Sequence, residues 1–427
     1  MSSMLSYVPV VNRFITDSRE SRFIDIPPVE IHNVETAPEK RPRTLKHLLR
    51  ANHVNHAILY NNLRYHNHMP HILSSAYLLG ASDVQLYKIY DVEAGELDPW
   101  RPSPAEVTEN DWRDFLGNGK YQRAFVDFFE DALVSKHNYN WKGVVEEYMF
   151  GGKEPLINCL IGGLAHPLIH LGYAYEMNNK EIGIEALALA ATQYNFFHKY
   201  MDDPSYSKPS SFSSGSPLEL LTRMANDKRL TNLFEEPGLK NLKYLFQDHE
   251  DLVMEYWNAW SLDDPKKQFQ ESQEAAVSLL VATVPPGTHA YNFFIVHLLT
   301  SSHAVRILLP MVPPKFNISL VRQWWLLTIA VYIIFKCPKI DSDYIRPGDV
   351  AGKQWDYAED IALNGPYSTD AHFVKAVRAM KVAARTWGDA QEHYLAAAIR
   401  FVDDFKGWTP LVHFNDDSVT EDDSFLL

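Results

Sequence analysis

From Thr44 onward, apolar residues recur every three or four positions through most of the chain, the spacing that lays one face of a helix against a core. "TLKHLLRANHVNHAILY" shows it first. "MPHILSSAYLLG", "WRDFLGNGKYQRAFVDFFEDALV", "EPLINCLIGGLAHPLIHLGYAYEM" and "KEIGIEALALAATQYNFFHKYM" follow. After them come "NLKYLFQDHEDLVMEYWNAW", "ESQEAAVSLLVATV", "YNFFIVHLLTSSHAVRILL", "VRQWWLLTIAVYIIF", "HFVKAVRAMKVAARTW" and "DAQEHYLAAAIRFVDDF". Several of these are apolar nearly all round, which places them in the middle of a large bundle. Two-residue alternation is scarce. The pattern predicts an all-α protein built as one large helical domain over residues 46–410.

Two segments break the pattern. Residues 1–45 carry many prolines and read as an extended arm over the domain, with a short strand around Arg22 to Ile26. Residues 411–427 read as a solvated acidic tail. Within the domain, "SYSKPSSFSSGSP" (205–217) reads as a flexible loop or a lid.

Composition narrows the class. A formal net charge of −14 disfavours nonspecific binding to nucleic acid or anionic membranes. Cys159 and Cys337 lie far apart in apolar sequence, which excludes a disulfide scaffold and fits a reducing compartment. "WWLLTIAVYIIF", Trp324 to Phe335, is shorter than the roughly 20 residues a spanning helix needs, so it reads as a buried core helix. No apolar secretory signal follows the first methionine. These features predict a cytoplasmic protein without membrane or nucleic-acid partners.

Familiar cofactor motifs are missing: no G-x-G-x-x-G, no G-x-x-x-x-G-K-[ST], no H-E-x-x-H and no Glu-x-x-His pair. What the chain offers instead is histidine in apolar surroundings. "HNHMPH" (66–71) holds three in six positions. Asn67 can cap the helix that follows; His68 and His71, three apart, then share a face, and His66 points elsewhere. In "LAHPLIHLGY", His166 and His170 are four apart, although Pro167 breaks or kinks the helix between them. His297 in "FFIVHLLTSSH" has apolar neighbours on every side except Thr300, with His303 less decided. In "STDAHFVKAVRAM", Asp370 caps a helix on which His372 and Lys375 lie three apart.

Four separate helices thus each aim an imidazole at apolar surroundings, which is how helical bundles build metal sites. Neutral imidazoles leave a divalent ion uncompensated. A buried lysine has a lowered pKa, and its neutral amine adds carbon dioxide to give an anionic carbamate. Lys375 is the residue placed to do so.

"NHMPH", "HPLIHLGYAYE", "VHLLTSSHAVR" and "DAHFVKAVRAM" together resemble the questin oxidase-like family of fungal secondary metabolism, over roughly Thr44 to Trp387. The resemblance implies oxidative ring opening of an anthraquinone by dioxygen, giving a benzophenone-type product. It also implies one branch that uses a mononuclear non-haem Fe(II) held by four histidines and a carboxylated lysine. Carried over, the ligands are His68, His166, His297, His372 and Lys375, with Lys375 also the catalytic residue. His71, His170 and His303 are the neighbouring or substitute ligands, and His66 and His71 are the pocket residues beside His68. Tyr173, Phe293, Trp355 and Tyr367 are candidate walls for a flat polyphenol. Two rival enzymes share these residues: an NADPH-dependent Baeyer–Villiger-type monooxygenase on the same substrates, and a binuclear metallohydrolase, whose carboxylated-lysine site belongs on a (β/α)₈ barrel. A helical binding or scaffold protein would instead leave the histidines exposed and without metal.

Overall fold

The protein is described here from a computed structural model, over residues 23–409. The acidic tail 411–427 and the arm up to residue 22 lie outside the described residues. Helices dominate. Among the described residues the one ladder is a two-residue pair, Leu59–Tyr60 antiparallel to Tyr65–His66. The all-α expectation therefore holds, and the (β/α)₈ barrel that a metallohydrolase of the expected kind requires is absent from the described residues.

The core is centred on the Asn317–Ile334 helix, apolar all round and buried along most of its length. Trp324 and Trp325 are fully enclosed there, and the Trp324 indole donates to the Leu298 carbonyl at 2.9 Å. With the turn before it, this segment spans Pro314–Ile334, 21 residues, longer than the apolar run alone suggests. It is long and apolar enough to cross a membrane, yet it packs inside the protein.

Four other helices close into a ring. Met69–Leu79 packs on His166–Met177, which packs on Ile295–Leu308; that helix packs on Ala371–Trp387, which returns to Met69–Leu79. The carboxylate of Glu176 accepts from the Arg378 guanidinium, tying two opposite members together in the buried interior.

Local chemistry explains where the elements start. Asn67 Oδ1 accepts from the Met69 amide at 2.9 Å, and Pro70 occupies the first turn, where its missing N–H costs nothing. Gly80 then ends the helix in a left-handed conformation. Asp370 Oδ1 accepts from the amides of His372 and Phe373, each at 2.9 Å. The first helix starts at Lys40, ahead of Thr44.

Other expectations change. Phe23 to Ile26 form no strand: Ile24 and Ile26 alternate into the core, but no neighbouring strand offers a ladder. The apolar stretch 155–165 is not one α-helix but two short 3-10 turns, Leu156–Cys159 and Gly163–Ala165, with Leu164 and Ala165 in left-handed backbone (φ 52° and 64°). Pro167 is consequently not a kink; it sits in the first turn of a helix that starts at His166. The 205–217 loop is tied down, with backbone bonds from Ser214 to Ala259 and from Ser261 to Ser214. Asp83–Ala94, Trp141–Tyr148, Pro217–Asn226 and Trp355–Asn364 are helices the pattern did not announce.

Candidate metal centre

The ring brings His68, His166, His297 and His372 to one point. One ring nitrogen of each lies within 4.8 Å of the others, and no carboxylate belongs to the group. His68 Nε2 and His166 Nε2 are 2.8 Å apart; His297 Nε2 and His372 Nε2 are 3.2 Å apart. Two nitrogens bound at right angles about 2.1 Å from one ion stand about 3.0 Å apart, so both spacings suit neighbouring ligands. His166, His297 and His372 are buried, while His68 is half-buried.

The other ring nitrogens support this arrangement. His166 Nδ1 donates to the Gly163 carbonyl at 2.6 Å, and His297 Nδ1 donates to the Phe293 carbonyl at 2.9 Å. Each bond fixes a tautomer and leaves a lone pair on Nε2, the outer-shell bonding that metal-ligating histidines use. Burial, and then the positive charge of Lys375, push the imidazoles of His68 and His372 well below their usual pKa. They stay neutral, as ligands must.

Lys375 is 2% exposed, and its Nζ has no hydrogen-bond partner among the described residues. Burial pushes its pKa down to about 7, against the opposing charges of Asp370 and Glu93. An isolated buried ammonium is costly, so the amine is held close to neutrality. The donor set suits a divalent transition metal: imidazoles suit iron, zinc, copper and nickel, and Lys375 faces the same neutral cluster.

Around this point the expected residues divide. His71 Nε2 lies 2.9 Å from His170 Nδ1, so this pair sits one turn behind the ligands and not among them. His303 is buried beside Glu176 and Thr300 around a cavity of about 10 Å³, outside the four-histidine group. Tyr173 stacks on His71 with centroids 5.1 Å apart, and its hydroxyl bonds to Ser75, so it backs the site. Phe293 is half-buried and touches the rings of His297 and His372 at 5.2 and 4.5 Å. Tyr367 packs on Phe373 and Phe405, and Trp355 packs at the core's edge; neither meets a ligand ring.

His66 lies beside the ligands as a pocket residue, although its position before the cap suggests that it points elsewhere: its ring lies parallel on His166, centroids 3.8 Å apart. Two further residues were not expected in their roles. Trp408 stands 6.2 Å from both His372 and Phe293, with its indole donating to Asp370 at 2.8 Å. His53, whose helix looks exposed in the sequence, is 5% exposed and bonded to Glu185 and Glu130. The signal for it is Glu185, a lone carboxylate in "IGIEALALAA", where a buried charge needs a partner.

Comparison with known proteins places this site in a family. The model of the questin oxidase-like family matches residues 65–380, which include all five candidate ligands. The chain belongs to the questin oxidase-like family. Questin oxidase-like relatives include a Baeyer-Villiger oxidase of Pestalotiopsis microspora, 25% identical over 373 residues, 81% of each chain. A Baeyer-Villiger oxidase of Emericella nidulans is 25% identical over 84% of this chain and 85% of its own. The Questin oxidase of Aspergillus terreus is 26% identical over 82% of each. All three names denote oxidoreductases.

Proposed function

We propose that this protein is a metal-dependent oxygenase that opens a ring of an anthraquinone-type polyketide. The observation that carries the site is the convergence of four neutral imidazoles inside the helix ring, near enough to the buried Lys375 to be influenced by its charge, while the Lys375 amine has no hydrogen-bond partner among the described residues. The names of the relatives favour a Baeyer–Villiger outcome: one oxygen atom enters beside a ring carbonyl, and the second leaves as water. That balance requires two electrons, for which NADPH is the reductant class. A second reading, iron-dependent dioxygenation with both atoms entering the product, is favoured by the all-imidazole donor set.

His68, His166, His297, His372 and Lys375 would hold the metal, and a bound ferrous ion would supply dioxygen activation. The chain's own residues do the rest. Lys375, as the neutral amine, attacks carbon dioxide; an N–C bond forms, a proton leaves nitrogen, and the carbamate adds the negative charge that the imidazoles lack. Phe293, half-buried beside His297 and His372, offers an aromatic face to a flat substrate, and the buried Trp408 backs it. His66 covers the ring of His166, and Phe293 covers those of His297 and His372, keeping water from three ligand rings.

The test is elemental analysis of the purified protein beside Lys375→Ala, followed by turnover of questin under oxygen-18. About one metal per chain, lost in the variant, supports the site. One labelled atom with an NADPH requirement supports the Baeyer–Villiger outcome; two atoms without reductant support dioxygenation. No metal in either sample overturns the site.

A further inference from the structure

Trp408 and Thr409, at the end of the described residues, reach the starts of two ligand-bearing helices at once. The Trp408 indole donates from Nε1 to Asp370 Oδ2 at 2.8 Å. Asp370 Oδ1 accepts from the amides of His372 and Phe373, each at 2.9 Å, and so caps the helix that carries His372 and Lys375. One residue on, the Thr409 amide and hydroxyl both donate to the Tyr291 carbonyl, at 2.7 and 3.1 Å. The Thr409 carbonyl accepts from the Phe293 amide at 2.9 Å. Phe293 in turn offers its own carbonyl to His297 Nδ1 at 2.9 Å, just before the Ile295–Leu308 helix begins.

Packing alone does not ask for these bonds. Trp408 is buried among the rings of Phe405, Phe401 and Phe293, with centroids 4.7, 6.0 and 6.2 Å away. A phenyl ring would serve that cluster; the indole N–H aimed at the capping carboxylate is an addition to it. What the bonds join is informative. His297 Nε2 and His372 Nε2 stand 3.2 Å apart, yet their helices begin 76 residues from each other in sequence. Metal–ligand distances hold to about 0.2 Å, so two such helix starts need fixing against each other, and one short segment bonded to both does this.

We propose that Trp408 and Thr409 form a clasp that fixes the imidazoles of His297 and His372 against each other. Both are positioning residues. Trp408 acts on His372 through the Asp370 cap, and Thr409 acts on His297 through the Phe293 backbone. The clasp rests on the metal reading for its purpose, which is to hold two neighbouring ligands at one ion; its hydrogen bonds stand without that reading.

Trp408→Phe keeps an aromatic ring and removes the N–H, and Thr409→Pro removes the amide that bonds to Tyr291. Hydrogen exchange of the metal-free, full-length protein, followed by mass spectrometry, reads the helix starts directly. The His372 and Phe373 amides should exchange about tenfold faster or more in Trp408→Phe, and the Phe293 amide should do so in Thr409→Pro. Tyr332→Phe removes a buried hydrogen bond to the Pro338 carbonyl and controls for a general loss of stability. It should leave those three amides at wild-type rates. Cobalt(II) titration then reads the ligands: both clasp variants should bind about 10- to 100-fold more weakly than the wild type, with a changed visible spectrum. Tyr332→Phe should match the wild type in both respects. Wild-type exchange at 293, 372 and 373 in the clasp variants would overturn the clasp, and so would unchanged cobalt affinity and spectrum. A wild type that takes up no cobalt overturns the metal reading instead, and exchange that still responds to Trp408 would then support the clasp by itself.

Discussion

The Gly163 carbonyl accepts the His166 Nδ1 proton at 2.6 Å, and the glycine that supplies it sits at a φ of +54°. A Cβ there would meet Gln193 Oε1 and His66 Nε2, each at 2.8 Å. One small residue therefore fixes the tautomer of a ligand and makes room for the ring stacked on it. Gly163→Ala should cost about 1–2 kcal/mol in backbone strain alone and should push His66 off His166. Loss of such an outer-shell contact weakens metal affinity by about 10- to 100-fold. Metal titration and thermal unfolding of the variant check this; full affinity with a lowered Tm would mean the strain does not reach His166.

Which parts of this were legible in the sequence follows from the range of each interaction. His68, His166, His297 and His372 stand out because their immediate neighbours are apolar, and burial can be read locally. The helices Asp83–Ala94 and Trp355–Asn364 do not, because each buries only two residues and leaves almost no stripe. The turn at 163–165 is hidden for the opposite reason: the stretch is buried throughout, so periodicity carries no information there. His53 is harder to read, because the lone carboxylate that signals a buried partner, Glu185, lies 132 positions away.

The Glu176–Arg378 pair spans the ring and is buried at both ends, 5% and 3% exposed. Removing one partner leaves an uncompensated charge inside the bundle, which typically costs about 3–5 kcal/mol. Glu176→Ala and Arg378→Ala should each lose about that much by urea unfolding. Glu176→Met with Arg378→Met should recover most of it, since two apolar side chains need no pairing. If the double variant is as unstable as the singles, the pair is holding the helices in a geometry that packing alone does not give.

Metal uptake should separate His297 from His303, two buried histidines on one helix. His297 belongs to the four-nitrogen group, and His303 lies beside Glu176 and Thr300 away from it. A ligand that binds only the folded state raises Tm with concentration. Ferrous or zinc ion should therefore stabilise the wild type and His303→Leu by similar amounts, and should leave His297→Ala unchanged. Equal responses in all three proteins would mean the metal binds elsewhere.

Lys375 predicts a pH dependence with a defined sign. In the fold, burial holds the amine at about 7, with Asp370 and Glu93 offsetting part of the shift; in the unfolded chain it returns to its usual 10.5. Between these values the unfolded state binds a proton that the native state lacks, so stability rises with pH. Below pH 7 both states are charged and above 10.5 both are neutral, and the slope vanishes at either end. Inside the window it approaches about 1.4 kcal/mol per pH unit. Lys375→Met keeps the length of the side chain and removes the charge. In metal-free buffer purged of carbon dioxide, urea unfolding from pH 7.5 to 9.5 should find the variant more stable than the wild type, with the gap narrowing as pH rises. A constant gap would mean that the ammonium stays charged in the fold, and a neutral amine ready to take up carbon dioxide would then be absent.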